Sequence, residues 1–130
     1  MLVEGLVALL NADSEVTTIC GDRIMPIPAP DDLSQYPCVT YQVASGTTSY
    51  TFTNPTGVVD SRVVFTCIAA DYGNAKTLAR ALMQALSGYR GTLQDGTLVY
   101  FTEIANVQDG FDDGSRLSTT AVHALVTYLE

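Results

Sequence analysis

Few residues of this chain have side chains that could do chemistry, and their spacing assembles no reaction centre. His123 is the only histidine and lies in an apolar, alternating run with Ala121, Leu125 and Thr127. Nucleophilic catalysis through it needs a serine or cysteine on one side and an orienting acid on the other, and the sequence places neither. The cysteines stand at 20, 38 and 67, an odd number with no CxxC. A zinc site needs several convergent His or Cys ligands, and Cys20, Cys38 and His123 are too far apart in the sequence to argue one. Asp109-Gly110-Phe111-Asp112-Asp113 has the acidity of a calcium loop but lacks its ligand spacing and closing glutamate; it reads as a solvated hairpin turn. Asp31-Asp32 is the one adjacent acidic pair in the proline-rich stretch and could serve general acid–base work, but flanking prolines make it a solvated charge run. Neither GxxxxGK[ST] nor GxGxxG occurs, so the glycines form turns and not a phosphate cradle. The expectation is a non-enzyme with no catalytic residue, no metal and no cofactor.

Composition narrows the partners. At 130 residues the chain is expected to fold as one domain, 1–130, with a hydrophobic core that needs no disulfide or metal. Its net charge is −8, and its six Lys and Arg are scattered at 23, 62, 76, 80, 90 and 116. Gripping nucleic acid takes clustered cations, so a nucleic-acid-binding function is rejected; an acidic wall could still face DNA without holding it. No apolar run is long enough for a membrane span, and the N-terminus lacks the basic region of a secretory signal. Unpaired thiols fit a reducing, intracellular origin.

The elements expected to carry these residues follow from periodicity. Leu2, Val3, Leu6, Leu9 and Leu10 have helical spacing, predicting a helix over 2–12. Glu15 to Cys20 adds a short helical turn before Gly21. Gly21-Asp22-Arg23-Ile24-Met25-Pro26 stops that helix and begins a short extended piece, and prolines at 26, 28 and 30 forbid another helix. Val39, Tyr41 and Val43 alternate with polar neighbours, predicting a strand over 38–44. Residues 45–59 read as a long polar loop with Tyr50 and Phe52 in its middle. Arg62–Ala69 is apolar on both faces, as a central strand should be. Asp71 caps a helix over 72–87, with Ala75, Leu78, Ala79, Leu82, Ala85 and Leu86 on one side. Strands over 97–107, with Val99, Phe101, Ala105 and Val107 inward, and over 116–129 form a closing hairpin. The expected fold class is α+β, a four-stranded, mostly antiparallel sheet with two helices packed on one face.

The ordered series resembles the tail completion family of long-tailed bacteriophages, also described as tail-to-head joining or tail terminator proteins. The resemblance runs from the N-terminal helix and Gly21-Asp22-Arg23-Ile24-Met25-Pro26 to Tyr36-Pro37-Cys38-Val39-Thr40-Tyr41-Gln42. It continues through Ser61-Arg62-Val63-Val64-Phe65-Thr66-Cys67, Tyr72–Ala79, Leu86-Ser87-Gly88-Tyr89-Arg90-Gly91 and the closing Thr127-Tyr128. It carries no catalytic motif. It implies a virion structural protein at the head-proximal end of the tail, made in the bacterial host cytoplasm and assembled as a ring, commonly of six subunits. The implied partners are the major tail tube protein and head–tail connector proteins, with DNA passing through unbound and no membrane contact.

Candidate contact residues are Tyr50, Phe52 and Asn54 in the 45–59 loop and Asp31 and Asp32 in the proline-rich stretch. Loops this long in compact domains are often functional, and aromatics among threonines suit docking. A competing reading makes Tyr50 and Phe52 the continuation of a long hairpin. A different class of function, a small-ligand or peptide-binding module of a bacterial cell, would use the same loop and the cleft beside it.

Overall fold

A computed structural model describes residues 2–21, 23–27, 37–50, 55–94, 96–112 and 117–129. Two short helices come first, α1 (Leu2–Asn11) and α2 (Ser14–Cys20). Asp13 separates them and starts the second: its carboxylate accepts from the backbone N–H groups of Glu15 and Val16 at 3.0 and 3.2 Å, satisfying donors that a helix start leaves open. Gly21 closes α2 at φ 61° and ψ −131°, a conformation that only glycine adopts without strain. The chain therefore turns at once into β1 (Ile24–Pro26), which runs parallel to β2 (Cys38–Tyr50). Arg23 fastens this junction, its Nε donating to the Pro37 carbonyl at 3.0 Å while Val39 N–H donates to the Arg23 carbonyl at 2.9 Å.

β3 (Pro55–Ala69) returns antiparallel to β2, and α3 (Tyr72–Leu86) follows. Asp71 caps α3 by accepting from Asn74 N–H at 2.7 Å. Beyond α3, Gly88 at φ 74° donates its N–H to the Thr102 carbonyl at 2.8 Å. A two-residue β4 (Gly91–Thr92) and the long hairpin of β5 (Leu98–Asp112) and β6 (Leu117–Leu129) complete the chain. The sheet order is β1-β2-β3-β6-β5-β4, antiparallel except for β1 against β2.

The fold class therefore differs from the sequence expectation: among the described residues the sheet has six strands and is mixed, and three helices pack with it, not four strands and two helices. The two additional strands have three and two residues, too few for alternation to register. The third helix, α2, is seven residues long, and its cap rather than an apolar stripe marks it.

The core lies between the helices and one face of the sheet. Leu6, Leu10, Val16, Leu78, Leu82 and Leu86 meet Val39, Val63, Phe65, Val122 and Val126, all fully buried. β3 is central, as its two apolar faces require. On its other face Ile68 joins Cys38, Leu117 and Met25 in a small second cluster. The three cysteines, scattered in sequence, are all buried and none forms a disulfide. Burial, reinforced by Cys20, pushes the Cys38 thiol up to about 11, and burial pushes Cys67 up further, with Cys20 and Cys38 adding to it. Thiols held protonated in this way are poor nucleophiles and poor metal ligands.

Candidate functional site

Of the 45–59 segment, residues 45–50 and 55–59 are strand and not loop. β2 runs on to Tyr50 and β3 starts at Pro55, and their pairing continues out to Tyr50 opposite Pro55. Alternation fails to show this because the stretch is Thr-, Ser- and Gly-rich on both faces, so no apolar set marks its period. Pairing of β3 with β6 stops at Val58 opposite Leu129, so the end of the β2–β3 hairpin projects past its neighbour. Tyr50 is the last residue of β2. Phe52, Asn54, Asp31 and Asp32 lie outside the described residues.

The second hairpin is also longer than its alternation suggests. β5 continues through Asp109 to Asp112, so most of the aspartate-rich stretch is strand and not turn. Two irregularities, between Val99 and Phe101 and between Ile104 and Asn106, interrupt its register with β6. Each shifts the alternation by one residue. The inward-facing set becomes Val99, Thr102, Ile104 and Val107, the last part-exposed opposite the buried Val122, while Phe101 and Ala105, expected inside, are exposed. Arg90 lies over the Phe101 ring at 5.3 Å from its centroid.

Asp109 joins this hairpin to the start of α3. Its carboxylate accepts from the Tyr72 hydroxyl at 3.0 Å and the Thr120 hydroxyl at 3.2 Å, and pairs with the Lys76 ammonium at 3.0 Å. Hydrogen bonding to Lys76, helped by Tyr72 and Thr120, holds the Asp109 carboxyl below the usual aspartate range, and Asp109 raises Lys76 in turn. A depressed carboxyl pKa contributes stability above the unfolded value of about 3.9 and loses it as pH falls through the lower folded value. The raised Lys76 contribution is intact below about 10.4 and is lost at still higher pH. Acidification from about pH 5 to about pH 2 should thus lower the thermal midpoint of the native protein more than that of Asp109→Asn. Equal falls in the two would show that the pairing contributes nothing.

No described residues assemble a catalytic centre. His123 stands on β6 opposite Val64 and Asn106, and its Nδ1 is buried without a hydrogen-bond partner among the described residues. Among the described residues, no group of three His, Cys, Asp or Glu could hold a metal ion, and no helix is long and apolar enough to cross a membrane. A groove of about 400 Å³ runs between α2 and α3, with Glu15, Thr18, Arg80 and Gln84 on its walls. These residues make no convergent set around a reacting atom.

What stands out instead is exposed apolar surface on strands: Val43 on β2 and Leu98, Tyr100, Phe101, Val107 and Phe111 on β5. Two long hairpins thus carry exposed apolar surface beside the helices, and the described residues assemble no reaction centre. The family model for tail completion protein gp17 matches residues 4–127, and this chain belongs to that family. It is a structural protein of phage-type tails. A solved structure described as the virion of a native gene transfer agent particle is similar, with a TM-score of 0.80 at 16% identity. The match covers 96% of this chain and 92% of that one. At that identity the likeness establishes the fold. Comparison with curated proteins gave no match.

Proposed function

We propose that this protein caps or joins the head-proximal end of a long tail as a ring, commonly of six subunits in its family, around the DNA passage. Membership of the tail completion family over nearly the whole chain carries this reading. Two further features support it. A net charge of −8 suits a wall that DNA must slide past without sticking. Exposed apolar residues along two different strands suit the head-to-tail contacts a ring requires.

In this reading the protein is synthesised in the host cytoplasm and becomes a virion component. One surface meets the major tail tube protein and the opposite one the head–tail connector. The Tyr50 end of β2 contacts a neighbouring subunit or the tail tube, as do Phe52 and Asn54, and Asp31 and Asp32 take part in a second contact. Particles made without the protein test the proposal: heads and tails should accumulate separately. Normal joined particles in its absence would rule it out.

A further inference from the structure

The sheet has two open margins. On one side β1 covers β2 only at Val39–Tyr41, and Ile27 N–H reaches the Tyr41 carbonyl just beyond. From Gln42 to Tyr50 no described strand pairs with the outer side of β2. On the other side β4 covers Leu98 and Val99, and Gly88 covers Thr102. From Glu103 to Gly110 no described strand pairs with the outer side of β5.

Proteins that stay apart blunt such edges with charge or proline. Here Gln42–Tyr50 holds no charged residue and no proline. Glu103–Gly110 holds two charges, Glu103 at its start and Asp109 near its end, and Lys76 pairs with Asp109 at 3.0 Å. A chain of net charge −8 repels its own copies wherever unbalanced charge meets. The β2 margin carries no charge to oppose the approach of a second copy, and among the described residues each margin leaves a ladder of backbone donors and acceptors unpaired.

Their apolar residues also match in facing. Val43 pairs with Val63, and Val107 with Val122. Val63 and Val122 are both fully buried beneath the helices, so Val43 and Val107 stand on the same face of the sheet at opposite margins. They are 52% and 37% exposed, which is unlike core valines.

We infer that the open margin of β5 pairs with the open margin of β2 from a second copy of this chain, continuing the sheet from subunit to subunit and burying Val107 beside Val43. The two margins differ, so the contact is heterologous and repeats head to tail, with backbone hydrogen bonds supplying most of the pairing. The inference rests on the ring reading and specifies its subunit junction.

Three variants test it: Val43→Glu, Val107→Lys and the double Val43→Glu/Val107→Lys. Each is supplied to cells making particles that lack the native protein, and copies per particle are counted by quantitative mass spectrometry. Thermal melting of the purified variants confirms that each folds. Native protein should be present in several copies. Each single variant should fall about tenfold or more, because a lone charge is buried at every junction. The double variant should recover, because every junction then sets a glutamate beside a lysine. Single variants at native copy number, or a double variant no better than the singles, would overturn the margin pairing and leave the ring reading standing. One copy per particle for the native protein would overturn both.

Discussion

Phe65→Ala should destabilise the protein by about 3–5 kcal/mol, the range for emptying a fully buried aromatic site. Phe65 sits on the central strand with no exposed surface. Its ring lies 6.5 Å from that of Tyr41 on β2, inclined at 53°, the tilted arrangement that aromatic pairs favour. Val63 and Cys67 flank it on the same face, and the helices cover it. Alanine would lose the transfer free energy of the ring and leave a cavity that strands locked on both sides cannot collapse into. Domains of this size have about 5–15 kcal/mol in total, so the variant stands near the edge of folding. Denaturant unfolding measures the effect, with Tyr100→Ala as the contrast. Tyr100 is 45% exposed, and its loss should cost under about 1 kcal/mol. A comparably small cost at Phe65 would contradict the core as described.

The second large effect concerns assembly and leaves stability nearly untouched. The double change Tyr50→Ser and Phe52→Ser should reduce infectious tails by about a thousandfold. The β2–β3 ladder runs out to Tyr50 opposite Pro55, past the last β3–β6 pair at Val58 and Leu129. A strand end that outruns its neighbour in this way contributes little to the fold, and we propose that Tyr50 and Phe52 serve as anchors for a partner. Aromatic anchors in protein interfaces are worth about 2 kcal/mol or more each, and two together correspond to about three orders of magnitude in affinity. Infectious titre after complementation gives the answer, with thermal melting to show that the variant still folds. A titre equal to the native protein's would remove the tip from the contact.

Most of the larger elements were legible in the sequence because their periodicity is backed by burial. α3 reads from its alanines and leucines and from Asp71, and the structure has it over Tyr72–Leu86 with that cap. β3 reads as central from its two apolar faces. What was hidden has a physical reason in each case. β1 is held by backbone bonds and Arg23, not by a pattern of its own side chains. The outer part of β2 is rich in Thr, Ser and Gly, and the outer part of β5 mixes Gln, Asp and Gly with its apolar residues, so neither shows a sustained alternation to distinguish it from loop. The two register shifts in β5 invert inside and outside midway, which turned Phe101 and Ala105 outward against simple alternation. Asp109 looked like one of several solvated turn acids; only the fold brings Lys76, Tyr72 and Thr120 to it. Of the candidate contacts only Tyr50 is among the described residues, and there the backbone makes a strand end where the sequence reads as loop.

The central claim is that this tail protein forms a ring where the tail meets the head. Reconstruction of intact particles by electron cryomicroscopy tests it most directly, with this fold fitted into the density at the head–tail junction. The account predicts a single closed ring of this chain stacked on the last disc of the tail tube, with the DNA path through its centre. Finding the chain at the distal end of the tail, along its length or as isolated copies outside the DNA path would contradict it.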